Sequence, residues 1–161
     1  MLEALPTVRC VRRAPGAVSA RGDEPWWTDV PPQPLWQTVT GERPAQATTV
    51  RLAWDDAELR VFFDVEDSHI AATLTERDAP LYQEEVAEVF LDPAGDLESY
   101  FEIELNPLNA VLDLVLRRNR SGYVKDFAWD CDGLRTAVCR TARGWCGELA
   151  IPFSRLLART S

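Results

Sequence analysis

The stretch TTVRLAWDDAELRVFFDVED, residues 48–67, leaves one local fold open: two extended strands joined by a tight turn. Val50, Leu52 and Trp54 alternate with Arg51, Ala53 and Asp55. Leu59, Val61, Phe63 and Val65 then alternate with Arg60, Phe62, Asp64 and Glu66. A period of two places each set on one face of a pleated strand, whereas a helix face requires spacings of three and four. The Asp55-Asp56-Ala57-Glu58 link is turn-like, so a β-hairpin is predicted, with Leu59, Val61, Phe63 and Val65 buried.

The same grammar runs through the rest of the chain. Residues 86–92 read as a strand with Ala87, Val89 and Leu91 inward, broken by Pro93-Ala94-Gly95-Asp96. Residues 99–106 follow with Phe101, Ile103 and Leu105 inward, and Pro107 ends them. The short connection predicts that these two strands pair antiparallel. Further strands are expected at 110–117, 123–131, 134–141 and 145–151, with short ones at 7–12, 35–40 and 69–75. Pro152 and Ser154 open a short helix over 154–158. So many short strands between turn signals imply an all-β antiparallel sandwich or jelly roll. The prolines at 25, 31, 32, 34 and 44 exclude helix and central strand from the beginning of the chain. Residues 1–35 are therefore expected to form a Pro/Trp-rich wrap pinned by Trp26 and Trp27, and residues 36–161 the sandwich, within one domain.

Composition excludes some function classes. The 161 residues carry a net charge of −9, which disfavours a nucleic-acid partner. Arg117, Arg118 and Arg120, and later Arg140 and Arg143, read as a solvated loop and strand edge. No run approaches the roughly 18 apolar residues of a membrane span. Residues 1–11 lack a charged segment followed by an apolar one, so the chain as written reads as cytoplasmic, and as extracellular if a leader has been trimmed. The four cysteines, Cys10, Cys131, Cys139 and Cys146, contain no CxxC pair, and the only histidine is His69. A zinc site is not expected, and the thiols read as reduced. Cys139 and Cys146 flank the Arg143-Gly144 turn and would face each other across a hairpin, the first candidate bridge in an exported protein.

The feature closest to function lies opposite the inward residues of the two middle strands. Glu88, Phe90, Tyr100, Glu102, Glu104 and Asn106 share that face, and Tyr82 lies just before it. Aromatic rings stack on the C–H faces of a sugar, and carboxylates and amides bind its hydroxyls. The plainer alternative is that the outer face of an antiparallel sheet is ordinarily polar, with glutamate a common filler.

The succession TTVRLAWDDAELRVFFDVED, APLYQEEVAEVFLDP, SYFEIELNP and WCGELAIPF resembles the family 9 carbohydrate-binding modules and their DOMON-like relatives, over roughly residues 36–157. The resemblance implies non-catalytic binding of a mono- or oligosaccharide, accessory to glycoside hydrolases. In sugar-binding members two aromatic side chains sandwich a terminal sugar, and one of these positions falls on Tyr82. A family glutamate matches Glu88. An arginine and an asparagine of the next strand correspond to Glu102 and Glu104 here. The family's second sandwiching tryptophan comes from strands beyond the "IPF" segment, so the sandwich is expected to lack its last strands. An exposed sheet edge would then pair with a second copy or dock a partner, an alternative reading as an interaction module without a sugar ligand.

The resemblance also implies structural calcium. Asp55, Asp56, Asp67, Asp92 and Asp96 lie at strand ends and turns, where carboxylates and loop carbonyls would supply its oxygens. The same residues are ordinary turn formers. A hydrolase reading of the alternating Glu102 and Glu104 is set against the shallow surface of a small sandwich. A haem reading would need Met and His ligands, and only Met1 and His69 exist.

Overall fold

The computed structural model describes residues 7–157 of the chain. The predicted hairpin forms as β3 (Thr48–Trp54) and β4 (Glu58–Glu66), with Asp55 Oδ1 accepting hydrogen bonds from the amides of Ala57 and Glu58 to shape the turn. Two strands precede it, β1 (Val11–Arg12) and β2 (Gln33–Pro34). They are shorter than, or displaced from, the strands expected at 7–12 and 35–40. Pro34 is tolerated because β2 lies outside the central ladder, where its missing N–H breaks nothing. The remaining strands are β5 (Ala87–Leu91), β6 (Ser99–Leu105), β7 (Val111–Asn119), β8 (Gly122–Asp126), β9 (Arg135–Arg140) and β10 (Gly144–Pro152), followed by a one-turn helix α1 (Phe153–Leu157). Position 158, the expected end of that helix, lies outside the described residues. The strand expected at 69–75 does not form. Its amides at Ala71, Thr73 and Leu74 donate instead to the carboxylates of Glu85 and Glu84.

Two sheets face each other. Sheet A runs β1-β3-β4-β10-β9, with β2 also paired to β3. Sheet B runs β5-β6-β7-β8, and every pair is antiparallel except β1 with β3. The all-β sandwich expected from the period-two runs is thus the observed class. Among the described residues, no helix is long and apolar enough to cross a membrane. Between the sheets lie Val61, Phe63, Phe101, Ile103, Leu105, Val115, Trp129, Trp145, Leu149 and Ile151. Val61, Phe63, Phe101, Ile103 and Leu105 are predicted inward residues of β4 and β6; Val115 of β7, Trp145, Leu149 and Ile151 of β10 and the loop residue Trp129 join them, the Trp129 ring centre lying 4.7 Å from that of Phe101.

Both outer faces are also covered, which alternation alone did not predict. Outside sheet A, Trp26, Trp27, Val30 and Ala20 pack on Phe62, Ala53 and Cys146. Phe62 is therefore buried rather than solvated. Arg60, on the same face, is fully buried: its Nε donates to Glu58 Oε1 at 2.7 Å, and its Nη1 to Glu148 Oε1 at 3.0 Å and to the Ala17 carbonyl at 2.9 Å. Nη2 donates to the Gly16 carbonyl, and the guanidinium lies 4.4 Å from the Trp26 ring centre. Glu148 Oε2 in turn accepts from the amides of Ser19 and Ala20. One buried cation thus ties the N-terminal wrap to the sandwich, and the wrap contributes two strands to sheet A. Gly16 is required here because a Cβ would lie 1.9 Å from Trp26 Nε1. A Gly16→Ala variant is expected to lose about 1–3 kcal/mol through overpacking, measurable as a lowered midpoint in thermal unfolding.

Cys139 and Cys146 stand directly opposite each other in the β9–β10 register, as the hairpin reading required. Both are free thiols, and Cys146 is pushed up to about 12, first by burial and then by Asp64 and Cys139.

Candidate functional site

The outer face of sheet B gathers the side chains singled out in the sequence. The β5–β6 register sets Glu88 opposite Glu104 and Phe90 opposite Glu102, and β7 lies beyond with Leu112 opposite Glu104 and Leu114 opposite Glu102. Residues 74–86 fold over part of this face. Leu81 is held in a single 3-10 turn, Leu81–Gln83, and packs with Leu74, Ala79 and Val86 on Leu112, Leu114 and Leu116. That cover explains a departure from the simple polar-face reading. Glu102 retains 5% of its exposure and Glu104 none, whereas Glu88 is open to solvent. The other predicted amide, Asn106, is also buried, and its side chain closes the β6–β7 turn by accepting from Leu108 and Ala110 and donating to the Leu74 carbonyl.

The 3-10 turn buries Leu81 and so projects Tyr82 outward, 51% exposed. Tyr82 and Glu88 line one groove together with Gln46, Asp67, Glu84, Glu85 and Trp145. Tyr82 thus lies open beside Glu88, and Trp26 and Trp27 pack on the opposite side of the molecule. Lys125 of β8 completes the cluster: its Nζ lies 3.7 Å from Glu102 Oε2 and 5.7 Å from the Tyr82 ring centre. Sequence reading missed Lys125. Its only signal is register, since Lys125 pairs with Leu116, which shares a face with Leu114 and Leu112. Tyr100 is on the same face but at its other end, in edge-to-face contact with Phe90 and Tyr123 at 5.9 and 5.1 Å between ring centres. With Leu97 and Asp92 it lines a second, mostly apolar hollow.

One carboxylate oxygen from each of Glu88, Glu102 and Glu104 lies within 4.8 Å of the others. Like charges facing across an antiparallel pair are destabilising. Glu104 is accordingly pushed up to about 8, first by burial and then by the neighbouring carboxylates, with Lys125 opposing. Glu88 is also raised, by burial and then by Glu102, with Lys125 again opposing. A raised carboxyl favours folding when it is protonated. The stability it supports is present in acid and falls as pH rises from the ordinary value of 4.5 toward about 8. Urea unfolding between pH 5 and 8 is expected to show that decline in the wild-type chain, and Glu104→Gln to flatten it. Equal slopes in the two proteins would exclude Glu104 as the source.

The five aspartates considered for calcium are dispersed. Asp55 shapes the β3–β4 turn, Asp92 accepts from the amides of Gly95 and Leu97, and Asp96 accepts from that of Glu98. Asp56 pairs with Arg12 at 2.6 Å. Asp67 Oδ1 accepts from the amide of His69 and from Gln46, and lies beside the groove that Tyr82 lines. None of the five belongs to a group of three clustered carboxylates among the described residues.

Comparison with known proteins places this geometry. A carbohydrate binding module family 9 from Caldicellulosiruptor kristjanssonii, solved with cellotriose, superposes with a TM-score of 0.64 at 20% identity, over 88% of this chain and 65% of that one. A family 9 module from the same organism solved with glucose gives a TM-score of 0.65 at 19% identity, over 89% of this chain and 68% of that one. The chain therefore spans about two thirds of the length of those modules. It is 27% identical over 130 residues to an endo-1,4-beta-xylanase A of Thermoanaerobacterium saccharolyticum, covering 81% of this chain but only 10% of the xylanase. Residues 18–161 match the family described as carbohydrate family 9 binding domain-like, and the chain belongs to that family.

Proposed function

We propose that this domain binds a mono- or oligosaccharide without chemical turnover, on the outer face of sheet B. The observation that carries the reading is the convergence of an exposed Tyr82 ring with Glu88, Glu102, Glu104 and Lys125 in one patch. Tyr82 offers an apolar plate for a pyranose face. Glu88 offers acceptors and Lys125 donors to the hydroxyl rim. Phe90, half exposed on the same strand as Glu88, extends the platform toward Tyr100 and Tyr123. The sugars held by the Caldicellulosiruptor modules and the resemblance to one segment of a xylanase support this ligand class and an accessory role beside glycoside hydrolases.

Binding rather than hydrolysis follows from burial. A general acid must reach the leaving oxygen, and Glu104, the carboxyl whose protonation fits that role, has no exposed surface.

Calorimetric titration of the chain with glucose, cello-oligosaccharides and xylo-oligosaccharides tests the proposal. Saturable heats with at least one of these are expected. Absence of binding to all of them at millimolar concentration would remove it.

A further inference from the structure

We propose that Cys139 and Cys146 are a modification site: on reaction with a low-molecular-weight disulfide such as oxidised glutathione they close as a reversible cross-strand disulfide that staples β9 to β10. The register sets the two residues directly opposite each other, with both side chains on the outer face of sheet A. The Thr141 amide donates to the Gly144 carbonyl at 2.9 Å. Hydrogen-bonded and non-hydrogen-bonded pairs alternate along an antiparallel ladder, so Cys139 and Cys146, two steps further on, form a hydrogen-bonded pair with Cα atoms about 5.5 Å apart. Disulfides span Cα separations of about 4.4–6.8 Å. The backbone as it stands therefore accepts the bond. The remaining thiols lie elsewhere: Cys131 between the two sheets, and Cys10 beside β1, at the far end of sheet A from β9.

Both sulfurs are held weakly and apart. Cys139 Sγ donates to the Arg140 carbonyl at 3.5 Å, and Cys146 Sγ to Asp64 Oδ1 at 3.8 Å. Thiols are weak donors, so rotating both side chains toward each other loses little. Side chains directly opposite have Cβ atoms about 4.5–5.5 Å apart, against about 3.5–4.5 Å in a disulfide. Closure must therefore draw the strands together, and a bond under that strain is readily reduced. The pair is thus reversible rather than a permanent crosslink.

Access sets the order of the steps. Cys139 is half-buried and Cys146 is buried. The Cys139 thiolate attacks one sulfur of oxidised glutathione, releasing one glutathione and leaving the other bonded to Cys139. Cys146 then gives its proton to solvent, attacks the Cys139 sulfur and expels the second glutathione. Two protein thiols are oxidised, and one small disulfide is reduced to two thiols. Burial, then Asp64, keeps Cys146 protonated, so the second step is the slower one. Among the described residues β9 pairs only with β10, so the bond secures a strand whose other edge is open.

The test treats the whole folded chain with oxidised glutathione, blocks the remaining thiols and maps the peptides by mass spectrometry. The expected product has lost two hydrogens and carries one bridge, between positions 139 and 146. Millimolar reduced glutathione is expected to open it without denaturant. Amides of β9 are expected to exchange with solvent at least about tenfold more slowly after closure. The melting temperature is expected to rise less, because the closed loop is short. Cys146→Ser is expected to stop at one glutathione on Cys139, and Cys139→Ser to take up none at position 146. A bridge between other cysteines or between two chains, a lasting glutathione adduct on the wild-type chain, or two free thiols after treatment would overturn the proposal. The wild-type peptide map decides the matter even where a serine variant fails to fold.

Discussion

An Arg60→Ala variant is expected to lose about 3–5 kcal/mol of unfolding free energy, the largest effect of any single side chain outside the apolar core. Arg60 is fully buried and answers Glu58, Glu148, two wrap carbonyls and the Trp26 ring at once. Its removal leaves Glu148 buried without a cation, and an uncompensated buried charge costs far more than the pair contributes when intact. Glu58 is spared, because Arg135 Nη2 donates to both of its oxygens at 2.8 Å. The double variant Arg60→Met, Glu148→Gln is therefore expected to recover much of the loss. Its neutral amide oxygen still accepts from Ser19 and Ala20, and the methionine still fills the space beneath Trp26. Urea unfolding of the wild type and both variants measures this. Limited proteolysis is expected to cut residues 13–30 faster in the single variant, because the wrap loses its anchor. A single variant as stable as the wild type would show that the buried network does not hold the wrap.

Tyr82→Ala is expected to weaken sugar binding about tenfold or more while leaving the melting temperature unchanged. Aromatic contacts contribute about 0.5–1.5 kcal/mol beyond the area they bury, and burial of the ring face on a sugar adds to this. Stability is spared because half of the ring already faces solvent and Leu81, not Tyr82, carries the packing of the 3-10 turn. Tyr82→Phe is expected to retain most of the affinity, because the stacking face survives loss of the hydroxyl. Calorimetry on the tightest sugar found, with thermal unfolding run in parallel, decides between this and a structural role. A lowered melting temperature with unchanged affinity would assign Tyr82 to packing alone.

Alternation in residues 50–65, 87–91 and 101–105 was enough to place the two hairpins β3–β4 and β5–β6 and to name the core residues they contribute. A strand side chain has only two directions, and one face of each run is uniformly apolar. The approach of Glu88 to Glu102 and Glu104 was legible for the same reason, since a short turn between β5 and β6 leaves few registers. Alternation reports one buried face well and says little when both are covered. Phe62 and Arg60 therefore looked solvated until the wrap was seen lying on them, and Glu102 and Glu104 looked exposed until residues 74–86 were seen folding over sheet B.

The sequence by itself determined the sandwich, its inner core and the membership of the aromatic and acidic face, because strand periodicity and turn chemistry are local. Tertiary structure alone decided which of those acids lose their water, that Tyr82 stays open beside them, and that Lys125 joins them from a strand more than twenty residues away. Desolvation and charge proximity depend on what the rest of the chain lays over a surface, and no local pattern encodes that.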